Sequence, residues 1–142
     1  MATRRGADFV RDQGIAFARC QWETWSPPGW FDEATFEKVA QSFANVDWAD
    51  VTLHAYRVRW GEADPDPAYA ALEARHKAAQ TITVPTLMIQ GAEDRCVLPS
   101  SSEGREQYFC ASYTRLVLEG VGHFPTREAA GTVGKLLVEL LG

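Results

Sequence analysis

Val84-Pro85-Thr86-Leu87-Met88-Ile89-Gln90-Gly91-Ala92-Glu93-Asp94 is an apolar, strand-like run that ends in Gly-x-x-Asp. A second such run, Tyr113 to Leu118, is followed by Gly120-Val121-Gly122-His123-Phe124-Pro125. From Ile82 to Gln90 the chain is β-branched and almost continuously apolar, the composition of strands buried on both faces of a parallel sheet. Between the two runs, Pro99 and the serines after it predict a helix from about 100 to Phe109. Thr126 to Leu141 predicts a final helix, with Val133, Leu136, Leu137 and Leu140 on its buried face. Strand, helix, strand, helix makes a right-handed β-α-β crossover with a covering helix and parallel strands. An aspartate then follows the first strand and a histidine the second, the histidine twenty-nine positions further on.

The chain before this unit has a different character. Residues 5 to 22 predict a helix with Phe9, Val10, Phe17 and Cys20 on one face and Gly14 as its weak point. Trp22 to Phe31 is an aromatic loop interrupted by Ser26-Pro27-Pro28-Gly29. Asp32 is placed to cap a helix over 33 to 44, in which Phe36, Val39, Ala40 and Phe43 keep i, i+3, i+4, i+7 spacing. Further helices are expected over 47 to 58 and 68 to 80, separated by an acidic loop from Gly61 to Pro67. The chain thus divides into a helical region, 1–80, and an α/β region, 81–142.

The α/β region resembles the C-terminal part of the α/β-hydrolase fold. Ile82 to Gly91 is similar to the entry into that fold's seventh strand. Asp94 falls where many members keep the triad acid. His123, in Gly120-Val121-Gly122-His123-Phe124, falls where they keep the triad histidine after strand eight. The helical region resembles the cap inserted after strand six, and Leu53-His54-Ala55-Tyr56-Arg57 is similar to the Tyr-Arg signature of epoxide-hydrolase-like caps. In that family the tyrosine donates a hydrogen bond to the epoxide oxygen, which makes Tyr56 a candidate substrate contact. The resemblance covers nearly the whole chain but about half of a complete member, and it implies a start after strand six. The nucleophile elbow is absent: no Gly-x-Ser-x-Gly occurs, and Ser100-Ser101-Ser102-Glu103-Gly104 follows the acid and lacks the first glycine.

The expectation is therefore a partial α/β-hydrolase fold carrying the acid and base of a hydrolytic triad. The resemblance implies hydrolysis of a small apolar ester or epoxide, without metal or organic cofactor. His123 would act as general base and Asp94 would orient it. Trp25 and Trp30 are candidates to line an apolar substrate pocket, and packing within a small helical region accounts for them equally well. Tyr56 has the same alternative, as an aromatic of the cap's own core. The rival class is a non-catalytic binding or interaction module on the same fold.

Composition narrows the partners. A net charge of -5 with scattered basic residues argues against nucleic acid. No apolar run reaches the length of a membrane span. Cys20, Cys96 and Cys110 are odd in number and lack metal-ligand spacing, so they read as thiols of a reducing cytoplasm. A two-stranded sheet leaves an apolar strand edge open. The expected partners are accordingly a small-molecule substrate and either a separate chain bearing the N-terminal half or a second copy of this chain.

Overall fold

The computed structural model describes residues 3–142, and these divide into two compact units. The first comprises residues 3–21 and Phe31–Lys77. The second comprises Trp22–Trp30 and Ala78–Gly142. The aromatic segment 22–30 thus clusters with the α/β region rather than with the helices on either side of it in sequence.

The first unit is helical. Its elements are α1 (Arg4–Asp12), the start of α2 (Gly14–Trp25), α3 (Glu33–Ala40), α4 (Trp48–Arg59) and α5 (Ala70–Ala78). Thr3 caps α1 through its hydroxyl, which accepts from Gly6 N at 3.1 Å. The single helix expected over 5 to 22 is two helices, broken at Gln13. The break has a steric reason: a Cβ on Gly14 would lie 2.7 Å from the Trp48 ring. Glycine starts the new helix where that indole needs the space. Ala7, Val10 and Leu53 form the core, with Phe17, Trp48 and Ala49 packed on it.

Asp32 caps α3 as its position predicts, its carboxylate accepting from Thr35 N at 2.7 Å. Hydrogen bonds from Thr35 hold the Asp32 carboxyl below the ordinary aspartate range. The next residue, Glu33, is lowered by its hydrogen bond with the Arg19 guanidinium. Arg19 also sits over the ring of Phe36, 4.1 Å from its centroid. After Ala40 the chain tightens into a 3₁₀ turn, Gln41–Ala44. The last helix of this unit starts from a 3₁₀ turn at Pro67–Tyr69, and it leaves Tyr69 and Leu72 exposed.

The second unit holds two parallel strands, β1 (Thr86–Gly91) and β2 (Tyr113–Leu118), paired in register from Thr86 opposite Tyr113 to Gly91 opposite Leu118. Below the ladder Ile82 bridges Phe109, and the Phe109 ring stacks on Tyr113 at 3.9 Å. Among the described residues the sheet has these two strands alone. The composition predicts complete burial for β1, but Leu87, Met88 and Ile89 are half-buried, because among the described residues one edge of β1 has no neighbouring strand.

The connection between the strands also differs from expectation. In place of an α-helix over 100 to 109 there are two 3₁₀ turns, Pro99–Ser102 and Glu106–Tyr108, separated by Gly104 at φ 65°. The serines explain this. Ser102 turns its hydroxyl to the backbone and to Gln90 rather than leaving the carbonyls to an α-helix. The final helix is split as well, into α6 (Pro125–Glu128) and α7 (Ala130–Leu141). Val133 is buried and Leu136 half-buried, while Leu137 and Leu140 are exposed.

Candidate functional site

β1 and β2 run parallel, so the segments that follow them emerge at the same end of the sheet, where open α/β folds place their ligand sites. Asp94 lies three residues beyond β1 and His123 five beyond β2. Two glycines bring these loops together. A Cβ on Gly91 would fall 2.2 Å from the carbonyl oxygens of both Val121 and Gly122. A Cβ on Gly122 would fall 2.4 Å from Ser26 Oγ and 2.5 Å from its Cα. Neither position has room for a side chain. Gly120, at φ 71°, supplies the left-handed turn that leaves β2. Gly91 and Gly122 are thus needed for close approach, and Gly120 for its backbone conformation.

Asp94 is buried, at 6% exposure. Its Oδ1 accepts from the backbone N–H of Cys96 and of Val97, both at 2.8 Å, so the carboxylate is fixed by its own loop. His123 Nδ1 lies 3.0 Å from Oδ1 and 2.9 Å from Oδ2 of this carboxylate. An ionised carboxylate only accepts, so Nδ1 carries the ring proton and donates it. Nε2 is then the basic nitrogen, on the side of the ring away from Asp94. The loops are further tied where Glu93 N donates to Val121 O at 2.9 Å.

A second network supports the Asp94 loop from beneath. Gln90, at the end of β1, donates through Nε2 to Val97 O at 2.8 Å. Its Oε1 accepts from Ser102 Oγ at 2.5 Å. Arg115 on β2 donates through Nε to Ser102 Oγ at 2.8 Å and through a terminal nitrogen to Pro99 O at 2.7 Å.

Aromatic rings from residues 22–30 pack on the histidine and on its neighbour Phe124. The Trp25 ring meets the imidazole edge-on, at 4.9 Å and 78°. Trp30 stacks on Phe124 at 4.9 Å and 21°, and its indole N–H donates to Trp22 O at 2.8 Å. Trp22 lies 4.6 Å from Trp30 and 5.9 Å from Phe124, ring to ring. Within the second unit, therefore, the structure brings together Asp94, His123, Trp25 and Trp30. Tyr56 belongs to the first unit, half-buried on α4 beside a shallow hollow lined by Ala55 and Arg59. Its candidacy rests on the sequence likeness alone.

Two residues of the site were not singled out from sequence, Ser26 and Glu128. Ser26 is fully buried, and it hides in a Pro-Gly loop that reads as solvent-facing. Glu128 had a legible signal. Pro125-Thr126-Arg127-Glu128 places an acid in the first turn behind a proline, where a carboxylate can reach back to free N–H groups. No group of three or more potential metal ligands occurs among the described residues. No helix among them is long and apolar enough to cross a membrane.

No family model matches this sequence, and no curated protein matches it. Among solved structures, it is similar to a protein of Klebsiella pneumoniae subsp. pneumoniae that carries the provisional name epoxide hydrolase. The two are 34% identical, with a TM-score of 0.89. The fold is hydrolase-like. The likeness extends over 98% of this chain, which spans 46% of the length of the Klebsiella protein. The helices and the parallel strand pair together make an α/β arrangement in keeping with that neighbour.

Proposed function

We propose that this chain carries the acid and base of a hydrolytic triad, Asp94 and His123, and works with a nucleophile that lies outside its 142 residues. One observation carries the reading: the buried Asp94 carboxylate holds His123 Nδ1 at 2.9 Å, where the two strand ends converge. That contact selects the tautomer with a basic Nε2 and stabilises the imidazolium formed when Nε2 takes a proton. The proton comes from a serine hydroxyl, or from a water attacking an ester intermediate on aspartate. Trp25 and Trp30 give the surroundings an apolar, aromatic character suited to a small ester or epoxide. The name of the Klebsiella protein is consistent with the epoxide alternative.

The same reading assigns a role to the open edge of β1. The Klebsiella protein extends well beyond the part matched here. A segment corresponding to its unmatched part would pair with β1 and cover Leu87, Met88 and Ile89, and would bring the nucleophile to Nε2.

The test is complementation. The chain is mixed with the unmatched part of the Klebsiella protein, and hydrolysis of a p-nitrophenyl ester and of an aryl epoxide is followed. Turnover in the mixture that disappears with His123→Ala is the expected result. A complex that forms without His123-dependent turnover would overturn the proposal in favour of a non-catalytic binding module.

A further inference from the structure

The backbone of His123 is held by a side-chain pair that takes no part in the Asp94 contact. Glu128 Oε2 accepts from Gly122 N at 2.6 Å, and its Oε1 accepts from Phe124 N at 2.8 Å. Between these, His123 N donates to Ser26 Oγ at 2.9 Å, and Ser26 Oγ donates onward to Glu128 Oε1 at 2.6 Å. Three consecutive N–H groups, from residues 122 to 124, are thus collected by one carboxylate and one hydroxyl. Ser26 is 0% exposed and sits 97 residues from His123 in sequence. Gly122 has no Cβ because Ser26 occupies that space.

We infer that Glu128, acting with Ser26, is a positioning residue for His123. The inference rests on the reading of His123 as the base. A charged acceptor bonded to successive backbone N–H groups is stronger than a neutral one, and the chain around it is arranged to make the contact. The helix breaks at Ala129, which confines α6 to one turn, and Glu128 in that turn reaches back to residues 122 and 124. Fixing the backbone at 123 fixes where the imidazole starts, and the ring then has Nδ1 toward Asp94. Asp94 selects the tautomer; Glu128 and Ser26 set the ring within reach of Asp94. If the clamp is removed, the loop gains freedom, and the imidazole exchanges its Asp94 contact for water and populates the Nε2–H tautomer.

The experiment is ¹⁵N NMR of the histidine rings in the whole chain, which reads the tautomer directly, with His123→Ala for assignment. Glu128→Ala is expected to raise the ratio of Nε2–H to Nδ1–H tautomer at His123 by about fivefold, the scale of one ordinary hydrogen bond. Ser26→Ala should move it in the same direction by less. Glu128→Gln, which keeps one acceptor, should fall between wild type and Glu128→Ala. Leu53→Ala destabilises the other unit and should leave the ratio unchanged, which separates positioning from general loss of stability. If Glu128→Ala does not fold, Ser26→Ala decides the matter alone. An unchanged ratio in folded Glu128→Ala or in Ser26→Ala overturns the inference, as does an equal change in Leu53→Ala. Asp94→Asn distinguishes the two levels. If it too leaves the ratio unchanged, the acid–base reading itself fails. If it shifts the ratio while the clamp variants do not, the positioning role alone fails.

Discussion

The two units bury different things. In the helical unit the buried side chains are Ala7, Val10, Ala18, Phe36, Ala40 and Leu53, all apolar. In the α/β unit the buried polar residues Ser26, Gln90, Asp94 and Ser102 outnumber the buried apolar ones, Trp22, Val121 and Val133. Apolar burial is non-directional and tolerates small shifts. Buried hydrogen-bonding groups fix distances and orientations, and they destabilise the fold when left unpaired. The helical unit is therefore specified by volume, whereas the α/β unit is specified by geometry at the ends of its strands. That is the distribution expected when chemistry depends on one set of loops and the helices supply a surface.

Leu53→Ala tests the volume side and carries the largest expected effect. Leu53 is 1% exposed, between Ala7 and Val10. Truncation leaves a cavity in a core with few other members, and a loss of about 2–5 kcal/mol is expected. Chemical denaturation measures it, and hydrogen exchange should locate it in α1 and α4. A loss below about 1 kcal/mol would show that Phe17 and Trp48 close over the gap, and that this core is less tightly packed than its burial indicates.

Ser102→Ala tests the geometry side. The hydroxyl is shared by Gln90 Oε1 and Arg115 Nε. Without it a buried amide oxygen loses its donor and a guanidinium N–H its acceptor. About 1–3 kcal/mol should be lost, together with order at Cys96 and Val97, whose loop Gln90 holds through Val97 O. Amide NMR of those two residues is the sharper reading. Loss of stability without any change there would mean that the network supports the strand alone and does not reach the Asp94 loop.

The same division explains what was legible in the sequence. The presence of the helices was readable from apolar spacing and from the Asp32 cap, and in α3 the burial of Phe36 and Ala40 agrees with that spacing. Gly91, Asp94, Gly122 and His123 were readable from the Gly-x-x-Asp and Gly-x-Gly-His patterns, and the close approach of the two loops requires glycine at 91 and 122. The crossover was not. Residues 100 to 109 carry a helix-like start, and the competing hydrogen bonds of Ser102 lie with Gln90 and Arg115, distant in sequence. Ser26 was hidden for the same reason, since its partners lie 97 and 102 residues away. The break at Gly14 depended on Trp48, again a tertiary neighbour. The composition of β1 pointed to burial on both faces, and it is half-buried because, among the described residues, β2 is its one neighbouring strand.

The smallest expected effect concerns charge rather than packing, and it lies in the helical unit. Asp32 is held below its ordinary range by Thr35. A carboxyl lowered in the folded chain contributes stability that is fully present above its unfolded value of about 4, and is lost as the pH falls through the folded value. Asp32→Asn keeps an effective cap without the charge. The variant should thus melt slightly below wild type at neutral pH, and the two curves should converge as the solution is acidified below about pH 4. Glu33 titrates in the same acidic window, lowered by Arg19, but it is present in both chains and cancels from the difference. A gap that persists unchanged into acid would assign the role of Asp32 to the shape of its side chain. A gap that widens on acidification would reverse the sign of the linkage and break the Thr35 account. Either result would sharpen the contrast between the units, since a removable charge at the end of α3 is worth little, whereas the Asp94 carboxylate is built into the backbone that carries it.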